Sequence, residues 1–152
     1  MKIHRAAPPL DRERIGPVSI HGRPRHRVAT VPAVRVEWEQ VILASRDPVA
    51  LGRWWREVLG WVIVDDSPIV SEIRPEPGRL PGILFVPNDR PKVDQNRLHV
   101  DLRPDARQAE AERLIGLGAS RLDVGQGDVS WVVLTDPEGN ELCVLATRPA
   151  SS

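Results

Sequence analysis

One cysteine, no tyrosine and one phenylalanine in 152 residues exclude several classes at once. Cys143 alone cannot form an internal disulfide, so the fold has to stand on its core, and the chain suits a reducing compartment. No stretch approaches the roughly 18 apolar residues of a membrane span, and the first residues have no long apolar run after their charges. The expected location is the cytoplasm, with no membrane partner. Five tryptophans supply most of the aromatic surface.

Net charge is also missing, but the balance conceals a split. Residues 1–35 hold eight Lys/Arg against Asp11 and Glu13, a net +6, which leaves −6 for residues 36–152. The leader has five prolines and seven arginines without a sustained helical or strand period, so it is expected to be disordered. Arg23, Arg25 and Arg27 suit phosphate. Without interleaved aromatics or a recognisable binding module, the leader is read as a solvated tail, and no nucleic acid is expected as a partner. One domain is expected over 36–148, followed by a short tail at 149–152.

Within that domain a pattern of strand, helix and three strands occurs twice. The first strand is expected over 36–45. Asp47-Pro48 then supplies a cap and a proline at the first helical position. Leu51, Trp54, Trp55, Val58 and Leu59 recur at helical spacing, and Gly60 stands at a left-handed terminus. Strands are expected over 61–65, 69–74 and 82–86. The second pass reads as a strand at 97–103, a helix at 106–117 with Ala111, Leu114, Ile115 and Leu117 inward, and strands at 119–124, 129–135 and 141–146. Gly125-Gln126-Gly127-Asp128 reads as a hairpin turn. No helix start follows it to receive a phosphate.

The copies align almost without gaps: Gln40 and His99 are 59 apart, as are Gly82 and Glu141, while Leu59-Gly60 and Leu117-Gly118 differ by 58. Two copies are too few for a solenoid. The fold class is therefore α+β, two βαβββ modules (about 36–88 and 96–148) forming one domain with a concave cleft.

His99 is the only histidine outside the leader. Strand alternation puts it with Asp101, opposite Leu98, Val100 and Leu102. Glu141 opens a strand after Asp136-Pro137-Glu138-Gly139-Asn140 and shares parity with Cys143. No base stands beside Cys143 to make it a nucleophile, so a packed thiol is the simpler reading. Trp131 shares parity with Val129 and Val133, as core or as pocket wall. Trp54 and Trp55 are adjacent, so one helix cannot bury both equally. Glu37, Glu39 and Glu138 are read as surface or turn charges without chemistry.

Together, Asp47-Pro48, Trp54-Trp55, Leu59-Gly60-Trp61, Asn96-Arg97-Leu98-His99-Val100-Asp101 and Asp136-Pro137-Glu138-Gly139-Asn140-Glu141 resemble the vicinal oxygen chelate superfamily. They are most similar to its glyoxalase-like domains, grouped with bleomycin-resistance proteins and ring-cleaving dioxygenases. The resemblance covers about 36–148. It implies a divalent metal (Zn, Ni, Mn or Fe) held by the first and fourth strands of both modules, here Gln40, Gly82, His99 and Glu141. Glycine offers no donor, which leaves Gln40, His99 and Glu141 as metal ligands. It also implies a lyase or isomerase in which Glu141 is ligand and base. Asp101, Trp131 and Cys143 are the candidate substrate-binding residues. A dioxygenase would need a second histidine. The alternative is a metal-independent protein that sequesters a small molecule, drug or metabolite, with no cofactor. Homodimerisation is left open.

Overall fold

The computed structural model describes residues 36–125, 127 and 129–148. The leader, Gln126 and Asp128 of the hairpin turn, and the tail at 149–152 lie outside the described residues.

Asp47 and Pro48 act as their types require. The Asp47 carboxylate accepts the Ala50 amide at 2.9 Å, and α1 runs Pro48–Leu59 to Gly60 in the left-handed conformation (φ 66°). Before it comes β1 (Gln40–Ser45); after it come β2 (Val62–Asp66), β3 (Ser71–Arg74) and β4 (Gly82–Pro87). The second module repeats the order: β5 (Val100–Leu102), α2 (Arg107–Gly116), β6 (Ser120–Arg121), β7 (Val132–Thr135) and β8 (Glu141–Val144). Among the described residues these strands form two four-stranded sheets, β1-β4-β3-β2 and β5-β8-β7-β6. In each sheet the module's first and last strands are parallel neighbours and the remaining pairs are antiparallel. The duplicated α+β architecture read from the sequence is the one observed.

Several strands are shorter than their sequence pattern. His99 lies just before β5, and β6 is two residues long. Past β6 Leu122 still donates to the Val133 carbonyl at 3.1 Å, and Asp123 then accepts the Gly125 amide at 2.8 Å. The helical stripes are mostly as expected, with Leu51, Trp55, Val58, Ala111 and Leu114 buried. Ile115 is 36 % exposed, because the inward face of α2 is only as wide as Ala111 and Leu114. The two modules share one core, in which these residues pack with Ile73, Phe85, Leu134, Leu142 and Val144. Gly52 permits the close approach of α1 to its sheet. A Cβ there would stand 2.4 Å from Ser71 Oγ and 3.2 Å from the Phe85 ring.

The adjacent tryptophans divide their work. Trp55 is 2 % exposed, and its indole N–H reaches Asp136 Oδ2 in the other module at 3.2 Å. Trp54 is half-buried and donates to the Leu117 carbonyl at 3.0 Å, covering the end of α2. The rings meet edge to face, with centroids 5.3 Å apart.

Asp136, 3 % exposed, organises the Asp-Pro-Glu-Gly-Asn turn by accepting the amides of Glu138 and Asn140 and the Asn140 side chain. The turn then presents Glu138 to the first module. Its carboxylate accepts from Ser45 Oγ at 2.8 Å and from the Arg46 and Asp47 amides at 2.9 Å each. Glu138 therefore joins the modules where α1 begins, a role that reading it as a simple turn charge does not reveal.

Candidate functional site

The second sheet has a core face and a cup face, set by alternation. Leu134, Leu142 and Val144 point to the core. Register then places Asp101 opposite Cys143 and Cys143 opposite Val133, a row across β5, β8 and β7 on the other face. Residues two positions away share that face, which adds His99, Trp131, Glu141 and Leu145. These side chains, with Gln95 and Val124, line a cup of about 410 Å³. That volume is within the range of small-molecule sites.

Five of the six sequence candidates therefore meet: His99, Asp101, Trp131, Glu141 and Cys143 all line the cup. Trp131 is 39 % exposed and forms a wall of it. Gln40 is not with them. It begins β1 in the first sheet, paired with Gly82, and among the described residues the cup is lined by the second module and the segment leading into it.

Within the cup the polar groups are linked. His99 Nε2 lies 3.2 Å from Asp101 Oδ1, both side chains being about half exposed. The Cys143 thiol is pushed up, first by burial and then by the charge and hydrogen bond of Asp101. Glu141 has a different set of partners. One oxygen receives Lys92 Nζ at 2.6 Å, the other the Asn96 amide at 2.9 Å. Burial pushes its carboxyl up, but Lys92 and the Asn96 amide outweigh that, so it lies below the ordinary 4.5. The sequence had no signal for this pairing, since Lys92 is 49 residues away.

The four positions implied by the resemblance do not fit a divalent metal. Gly82 has no donor, and a side chain would not be accommodated there without movement. A Cβ at Gly82 would stand 3.1 Å from Glu72 Oε1 and 3.2 Å from Arg74 Cγ. The space is taken by an ion-pair chain, Arg74 Nε to Glu72 at 2.6 Å and Arg74 Nη2 to Glu39 at 3.0 Å. Gln40 is absent from the lining of the cup that holds His99 and Glu141, and Glu141 is already paired with Lys92.

A second depression, also about 410 Å³, lies at the module seam and includes Arg46, Asn88, Arg90, Lys92 and Glu138. Its carboxylate is held in the Glu138 contacts and its Lys92 by Glu141.

Residues 40–145 match the family described as Glyoxalase-like domain. A search of curated proteins finds no match. Among solved structures, the chain is similar to a glyoxalase/bleomycin resistance protein/dioxygenase family enzyme from Burkholderia phytofirmans PsJN. The TM-score is 0.58 at 18 % identity, over 74 % of this chain and all of that one. It is also similar to a glyoxalase/bleomycin resistance protein/dioxygenase from Nocardioides, with TM-score 0.57, 12 % identity and coverage of 80 % and 90 %. A glyoxalase-related enzyme from Fulvimarina pelagi gives 0.54 at 16 % identity, covering 73 % and 88 %. At these identities the neighbours speak to the fold, and the family match over most of the chain carries the assignment. The chain belongs to the glyoxalase-like domain family of the vicinal oxygen chelate superfamily.

Proposed function

We propose that this protein binds and sequesters a small, flat organic molecule bearing a cationic group, held in the second-module cup without the help of a metal. The observation that carries the reading is the state of Glu141. A residue serving as general base needs a proton affinity suited to its task, whereas the Glu141 carboxyl is paired with Lys92 and held low. Proton abstraction by Glu141 works against its pairing with Lys92.

The remaining lining suits a guest. Trp131 gives a flat apolar wall, extended by Val133 and Leu145, and indole faces attract both planar rings and cations. Asp101, half exposed at the cup floor, supplies a counter-charge. The net −6 of residues 36–152 favours approach of a cation.

The test is tryptophan fluorescence of the full chain titrated with planar aromatic amines, planar carboxylates of similar size and neutral aromatics, with and without EDTA. The expected result is saturable quenching by the amines alone, not reduced by EDTA and weakened in Asp101→Asn. Quenching abolished by EDTA, or the same response to carboxylates, overturns the reading.

A further inference from the structure

The cup holds a donor set different from the one the family resemblance implies. His99, Asp101 and Cys143 each offer one ligand atom, and these atoms all lie within 4.8 Å of one another. The cause is local. His99 and Asp101 are two apart on one strand face, and Cys143 is the register partner of Asp101 on the parallel neighbour. Nothing from the first module is required.

We infer that His99, Asp101 and Cys143 form a binding site for a borderline divalent transition-metal ion of the zinc type, through one imidazole nitrogen, one carboxylate oxygen and one thiolate sulfur. Tetrahedral bonds of about 2.0–2.3 Å to N, O and S place ligand atoms about 3.4–3.8 Å apart. The three donors close around an ion with shifts of about 1 Å or less, which half-exposed His99 and Asp101 side chains can make by rotation. A thiolate excludes hard ions such as Mg²⁺ and Ca²⁺ and selects zinc and its neighbours. Three protein ligands leave a fourth position for water on the open side of the cup.

Binding exchanges one bond for another. The Cys143 thiol, now hydrogen-bonded to Asp101, loses its proton to solvent as the metal–sulfur bond forms, with no change of oxidation state. Asp101 then passes from partner of imidazole and thiol to ligand beside them. Glu141 takes no part, since it remains with Lys92 and Asn96. This site goes beyond the sequestering function proposed above and does not rest on it, although an ion and a cationic guest compete for Asp101.

The experiment is a Co²⁺ titration of the full chain, made without a polyhistidine tag and stripped with chelator, followed by absorption. Cys143 is the sole cysteine, so near-ultraviolet thiolate-to-cobalt charge transfer reports this site alone, whatever the leader histidines bind. The expected result is a charge-transfer band saturating at one equivalent and erased by Zn²⁺. The band should be absent in Cys143→Ser and unchanged in Gln40→Ala. Asp101→Asn, which removes a ligand and the imidazole's partner, should weaken Co²⁺ binding by about ten- to a hundredfold. In the unaltered chain Zn²⁺ should also slow alkylation of Cys143 by iodoacetamide, a measurement that does not depend on any variant folding. The inference is overturned by no charge-transfer band, by a band lost in Gln40→Ala, or by alkylation indifferent to Zn²⁺. The amine titration in EDTA reads guest binding separately, so the two proposals fail independently.

Discussion

Replacing Glu138 by alanine should loosen the junction of the two modules. The carboxylate accepts three hydrogen bonds, from Ser45 Oγ, Arg46 N and Asp47 N. A bond to a charged acceptor contributes about 1.5–3 kcal/mol when water is kept away, which sets an upper bound of about 9 kcal/mol for the three. That bound is too high, because the two backbone bonds are exposed and water replaces the carboxylate there. Ser45 is 1 % exposed, so its hydroxyl loses its acceptor in a place water reaches poorly. One buried bond of about 1.5 kcal/mol, with about 0.5–1 kcal/mol for a negative charge at the start of α1, gives an expected loss of about 2–2.5 kcal/mol. Urea unfolding of the full chain at pH 7, followed by far-ultraviolet circular dichroism, measures it. Glu138→Gln, which keeps one acceptor oxygen, should fall between the two. A loss under about 0.5 kcal/mol in Glu138→Ala, the size of an ordinary surface change, would refute the staple.

The staple should also appear in the pH dependence. Burial pushes the Glu138 carboxyl up, but the Asp47 and Arg46 amides and the Ser45 hydroxyl outweigh it, leaving it below 4.5. Its stabilisation is thus present above about pH 4.5 and is lost as pH falls through the lower folded-state value, so Glu138→Ala should show a shallower decline on acidification, checked by unfolding midpoints between pH 3 and 7. Gly52→Ala should cost about 1–3 kcal/mol by overpacking, since the added methyl meets Ser71 at 2.4 Å; an unchanged urea midpoint would show that α1 has room to move. Trp55→Phe should cost about 1–3 kcal/mol, because it strips a donor from Asp136, which is 3 % exposed; thermal melts decide. Trp131→Ala should remove most of the guest-dependent quenching while leaving the melting temperature nearly unchanged, and retention of the full signal would place the guest elsewhere.

Much of the fold was legible because its signals are short-range. Asp47-Pro48 and Gly60 bound α1 through capping and backbone chemistry that act within a few residues. The offset of 59 between Gln40 and His99, and between Gly82 and Glu141, gave the duplication. Strand ends were less legible. The 97–103 and 119–124 patterns shrank to Val100–Leu102 and Ser120–Arg121, since pairing needs a neighbour as well as a suitable sequence.

For the site, alternation alone put His99 with Asp101 and Glu141 with Cys143, and the parallel pairing of β5 with β8 joined those pairs into one lining. Period-two geometry is carried by each strand and survives any packing. Partner choice is not carried that way. Lys92 on Glu141, Arg74 and Glu72 in the space beside Gly82, and Glu138 across the seam are contacts between residues up to 93 positions apart. The sequence by itself determined which side chains share a face; the tertiary structure alone decided which carboxylates remain free on that face, because a charge takes the nearest opposite charge or donor in space, wherever it lies along the chain.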